Sequence, residues 1–236
     1  MKISDLKNSR TFKKTAGFIR DNAIFNKISK IEKPFPSIGL PNCLEKCDVE
    51  FDGKPAYIGF TSSGITGFWD LATMSMRGVC SCMHWENSHR DHLVGSVTDP
   101  FLGMVYISDN EMTPYGISFR RRSLVRVLYD YSTKEYALFI ERVYKDTGNK
   151  NPGIYLNKDP NYNHTMKVFR DWIISKLKAD SKYKVIIASE RIPYSCDLIR
   201  SDSLVRLTHS YRSMSDWGFN DSHVEDSFAK KFAAQD

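Results

Sequence analysis

At 236 residues, 41% hydrophobic and 26% charged, the chain can bury a full core and reads as a soluble globular protein of one or two domains. No apolar run approaches the roughly 18 residues a membrane-spanning helix needs, and no signal-peptide stretch follows Met1, so a span is excluded and the cytoplasm expected. Five cysteines, an odd number, fit free or metal-bound thiols in a reducing compartment better than a disulfide scaffold.

The net charge is +6, and its location carries the argument. Residues 1–33 hold nine basic side chains (Lys2, Lys7, Arg10, Lys13, Lys14, Arg20, Lys27, Lys30 and Lys33) against Asp5, Asp21 and Glu32. The whole excess therefore lies in this segment, and the rest of the chain balances. Phe18, Ile19, Phe25, Ile28 and Ile31 recur in it at helical spacing, which predicts a basic helical arm over 1–33 that ends before Pro34 and Pro36. Such an arm has three uses: contacting the phosphates of RNA or DNA, lying on an anionic membrane, or docking on the core with its lysines in water. Residues 34–44, with Pro34, Pro36, Gly39 and Pro41, read as an extended linker, and 45–236 as a single domain.

Cys47 to Thr61 alternates on either side of Asp52-Gly53, a strong hairpin signal. Phe68 to Met76 carries a short helical pattern. Next, Cys80, Cys82, His84, His89 and His92 crowd five soft ligands into a short segment, with Cys43 and Cys47 upstream. Familiar zinc sites use cysteine pairs separated by two to four residues, and Cys80-Ser81-Cys82 does not have that spacing. The segment therefore reads as structural, with no metal or other cofactor expected. A metal site and a Cys82 thiolate with His84 or His209 as base are kept as alternatives.

Gly103 to Ile107 is a strand beside the longest β pattern in the chain, the hairpin from Tyr115 to Asp146. Phe119 to Tyr131 and Tyr136 to Tyr144 are β-branched, aromatic, leucine or arginine almost throughout, joined by a polar loop Ser132 to Glu135. Pairing Tyr131 with Tyr136 puts Val127 and Tyr129 on one face with Ile140 and Leu138, and Leu128 with Phe139 on the other. Both faces are apolar, so the hairpin belongs in the middle of a covered sheet. The same register sets Arg126 opposite Glu141 as an ion pair and leaves Arg120, Arg121 and Arg122 without partners at the strand's entrance, where they suit phosphates.

After a loop over 147–163, Met166, Phe169, Trp172, Ile173 and Leu177 share one face of a helix capped by Asn161 or Asn163. Lys184 to Ser189 and Ser203 to Tyr211 are further strands. The second repeats the hairpin: SLVRLTHSY echoes SLVRVLYDY at Ser123 to Tyr131, either as strands that present equivalent arginines, Arg126 and Arg206, or as chance convergence on a good β sequence. The echo is irregular and no tandem duplication is read from it.

The order Cys80 to Met83, then a Leu-Val-Arg strand, then Glu141-Arg142-Val143-Tyr144 resembles a group of bacteriophage proteins over residues 78–146. In them a Ser-Cys-Met motif precedes a Gly-Arg-Ala-Leu-Val-Trp-type strand and an Asp-Arg-Ile-Tyr strand. Val127 and Glu141 depart from that pattern. The resemblance implies phage origin, hence the host-cell cytoplasm, and a shared central sheet; it carries no activity.

The resulting expectation is an α+β protein: a central antiparallel sheet with flanking helices and a basic helical N-terminal arm. Its function is expected to be RNA binding in preference to DNA. The contacts come from Lys7, Arg10, Lys13, Lys14, Arg20, Lys27 and Lys30 in the arm and Arg120, Arg121, Arg122 and Arg206 on the sheet. Two other classes stay open: a module that binds a host or viral protein, and an enzyme using Cys80 to His92.

Overall fold

A computed structural model describes residues 31–62, 99–109, 119–130, 133–141, 143–145, 161–187 and 204–206. These form eight strands, β1 (Cys43–Lys46), β2 (Tyr57–Thr61), β3 (Leu102–Ser108), β4 (Phe119–Asp130), β5 (Glu135–Ile140), β6 (Tyr144–Lys145), β7 (Lys184–Ile187) and β8 (Leu204–Arg206), and one helix, α1 (Tyr162–Lys176). The strands make one sheet in the order β1-β2-β3-β4-β5-β7, with β6 and β8 also paired to β4.

The expected α+β class is thereby corrected. The described residues are mostly strands in a curled mixed sheet, a half-barrel, with one helix in place of flanking helices. The sheet is mixed because β7 runs parallel to β5, after a crossover that contains α1. A basic helical arm is not shown: residues 1–30 lie outside the described residues, as do the helical pattern at 68–76 and the loop at 147–160.

The twelve-residue β4 is the axis of the sheet. Its pairs with β3 and β6 overlap at Arg121 and Arg122, and its pairs with β3 and β5 overlap at Val125 and Arg126, so β3 holds one edge while β6 and β5 share the other. Because β5 also pairs Leu128 to Asp130, β8 reaches those residues from the β3 side and extends that edge. The two echoing strands are therefore neighbours, with Leu128 opposite Arg206.

The register of the main hairpin is corrected by two residues. Tyr129 faces Tyr136, Val127 faces Leu138, Val125 faces Ile140 and Arg126 faces Phe139. The loop keeps four residues and slides by one, closing on the Asp130–Glu135 pair with Lys134 at φ 57°. A two-residue slip preserves the faces, whereas a slip of one would invert them.

Alternation along β4 sends Val125 and Val127 to the same face as Val105, Ile107, Ile58, Phe60, Leu138 and Ile140. The buried side of α1, chiefly Met166, Phe169 and Ile173, joins these residues in one core cluster. The proline-rich stretch adds Phe35 and Leu40, both fully buried. The opposite face of the sheet is also buried at Met104, Tyr106, Leu124 and Leu128.

The Asp52-Gly53 turn forms as read, with both residues at positive φ, 54° and 69°, as the two-residue hairpin turn requires. Asn161 takes the N-cap position of α1 without a side-chain cap; its backbone carbonyl accepts from the Thr165 amide instead. Among the described residues no helix is long and apolar enough to cross a membrane.

Candidate functional site

The arginines at the start of β4 find partners that strand pairing alone does not supply. Arg121, fully buried, donates to both carboxylate oxygens of Asp52 at 3.0 and 2.9 Å, and its guanidinium lies 5.3 Å from the Phe51 ring centre. The β1–β2 hairpin delivers both partners, since Phe51 and Asp52 sit at its tip. Asp52 also lies 3.5 Å from the Lys145 ammonium and accepts from Asn161 Nδ2 at 3.5 Å. The hydrogen bond from Arg121 holds the Asp52 carboxyl below its ordinary range.

Arg120 pairs with Asp109 and donates to the Phe51 carbonyl at 2.6 Å. Arg122, fully buried, stacks its guanidinium 4.6 Å from the Tyr144 ring centre. The expectation that these three arginines lack partners is thus corrected: acids and aromatics distant in sequence reach them.

Arg126 occupies the opposite face from Arg121. Its Nε donates to Glu141 and its Nη1 to Asp99 at 3.4 Å, all three residues being about 1% exposed. The Arg126–Glu141 pair exists as expected, but diagonally, because Phe139 stands directly opposite Arg126. Beside it Lys33 Nζ donates to the Leu102 carbonyl at 2.8 Å. Burial lowers the Lys33 ammonium to about 8, and the Asp99 charge opposes that shift. Arg126 and Lys33 together offset the Asp99 and Glu141 carboxylates, so these charges hold strands rather than face a ligand.

A different arrangement stands where the β4–β5 ladder leaves the core. Along β5, Ala137 to Ile140 are buried while Glu135 and Tyr136 are exposed. Tyr129 and Tyr136, directly opposed, meet edge to face with ring centres 5.2 Å apart. Tyr183, just before β7, stacks on Tyr136 at 5.3 Å and 20°. Lys184 ties β7 to the hairpin end through Asp130 and, at 3.2 Å, the Thr133 hydroxyl. The three rings are therefore fixed from three segments, with Tyr136 42% exposed. Burial, with the neighbouring Tyr136 second, raises the Tyr183 hydroxyl above its ordinary value.

Of the sequence-predicted site residues, the structure gathers Arg120, Arg121 and Arg122 at the β1–β2 hairpin tip and near Tyr144. Arg206 takes its place in β8. Lys7, Arg10, Lys13, Lys14, Arg20, Lys27 and Lys30 lie outside the described residues, and so do Cys80, Cys82, His84, His89 and His92. Cys43 and Cys47 are free thiols, both shifted upward by burial. From the sequence Asp52 reads only as a turn residue, and nothing there singles out Asp99 or Tyr183. Their one local signal is an acid or aromatic at a turn or strand entrance. No family model matches the chain, and no curated protein matches it.

Proposed function

We propose that this is a nucleic-acid-binding protein of bacteriophage type, acting in the host-cell cytoplasm, that holds RNA in preference to DNA through its N-terminal basic segment. The observation that carries this reading is the confinement of the whole charge excess to residues 1–33. Ion pairing among the described residues supports it. Arg120 meets Asp109, Arg121 meets Asp52, Lys176 meets Glu45 and Lys184 meets Asp130, so those cations are already engaged. Phosphate binding draws its strength from releasing condensed counterions, which needs cations that are not neutralised in advance. The preference for RNA rests on tyrosines displayed at the sheet end, because single-stranded RNA offers unstacked bases to aromatic rings.

The test is filter binding of single-stranded RNA, double-stranded RNA and DNA across a salt series. It compares the full chain with a full-length variant in which Lys7, Arg10, Lys13, Lys14, Arg20, Lys27 and Lys30 are all glutamine. The expected outcome is tightest retention of single-stranded RNA by the unaltered chain and a much weaker, salt-insensitive variant. For a single strand, the log-log salt slope should fall by roughly 0.7 for every phosphate that the variant no longer neutralises. Equal binding by both proteins at every salt concentration removes the basic segment from the function.

A further inference from the structure

We infer that Tyr129, Tyr136 and Tyr183 form a stacking platform for the bases of a single-stranded RNA. The inference rests on the RNA-binding reading and adds a second contact of a different chemical kind. Three rings from β4, β5 and the entrance to β7 meet at 5.2 and 5.3 Å, and the middle one is the aromatic among the three large apolar side chains exposed in the described residues. Tyr136 is held there by strand pairing and by rings on two sides, so little conformational freedom remains to be lost when a base settles on it.

Charge complementarity selects the occupant. Lys134, in the turn before Tyr136, and Lys178 and Lys182, ahead of Tyr183, are exposed and make no ion pair among the described residues. Glu135 and Asp180 are the exposed acids nearby in the chain, which leaves three cations against two anions in the segments that carry Tyr136 and Tyr183. An aromatic surface whose flanking segments carry exposed ammonium groups suits a base together with its phosphate, and stacking tolerates any base because each has a π face. The basic segment then supplies salt-sensitive, base-blind affinity, and the tyrosines supply a term that depends on the base and not on salt.

The experiment measures fluorescence anisotropy of the full-length protein with an oligouridylate and with an abasic oligomer of equal phosphate count, at two salt concentrations. The unaltered chain should hold the oligouridylate about five- to a hundredfold more tightly for each base stacked. Tyr136→Thr, which keeps a strand-forming residue at an exposed position, should erase that difference and leave the salt slope unchanged; Tyr136→Phe should retain it. Photocrosslinking of a 5-bromouridine oligomer to the unaltered protein reads the same contact without any substitution, and the crosslink should map to Tyr136 or Tyr183. A crosslink confined to other peptides, or equal oligouridylate binding by Tyr136→Thr and the unaltered chain, overturns the platform and leaves RNA binding standing. Failure of the unaltered chain to hold either oligomer at low salt overturns the binding reading itself.

Discussion

Three arginines sit nearly without solvent in this sheet, and each is tolerable only because of what touches it. Burying a guanidinium costs several kcal/mol unless carboxylates or aromatic faces replace its water. Arg126 has two carboxylates, Glu141 and Asp99. Replacing Arg126 with Leu leaves those acids buried without their shared cation, and the expected loss is about 3–5 kcal/mol of unfolding free energy in a denaturant titration. A cost below about 1 kcal/mol would mean that the acids are solvated. Lys33 gives a separate, pH-dependent readout. Its ammonium falls to about 8 in the folded protein from an ordinary 10.5, so the unfolded chain binds the extra proton between those values. Stability from this group is present above 10.5 and is lost as pH falls through about 8. Comparing the unaltered protein with Lys33→Met, the difference should move in favour of the unaltered protein as pH rises from 8 toward 10. A pH-independent difference refutes the burial of that charge.

At the scale of elements, the strands of the main hairpin and their faces are legible from alternation, because Val125, Val127, Leu138 and Ile140 must share a side whichever even register is adopted. The register itself is not legible. Two four-residue loops one position apart satisfy the same pattern, and the choice is made by contacts outside the hairpin: Asp130 to Lys184 and Tyr136 to Tyr183. The parallel pairing of β5 with β7 is equally hidden, since KVII has the same pattern for either strand direction. Partners such as Asp52 for Arg121 stay invisible because they are many residues away and look like ordinary turn residues. One loop contact with α1 is tight enough to test. Gly39 has φ 105°, and a Cβ there would lie 2.4 Å from the Lys176 carbonyl oxygen at the end of the helix, where Lys178 N also donates to the Ile38 carbonyl. Gly39→Ala should destabilise by at least about 1–2 kcal/mol from backbone conformation alone, measured as a lowered denaturation midpoint. An unchanged midpoint would show that the loop can move off the helix end.

For the whole molecule, the proposed RNA binding together with the separation between a basic segment and a charge-balanced remainder predicts two independent dials on one affinity. Salt would act on the first through counterions, and base content on the second through stacking. The path of the chain also has a consequence for how the protein is made. The far end of β4 is paired on one side by β5 almost at once, but its other side at Leu128 to Asp130 is met by β8, drawn from Leu204 to Arg206. At ordinary synthesis rates the intervening chain takes roughly 4–15 s to appear. Through that interval the backbone amides and carbonyls along this stretch of the central strand await their partner. Completion of the sheet is therefore a late, long-range event in the life of each new chain, and the nascent protein passes through a period in which this twelve-residue strand is open to the wrong neighbour.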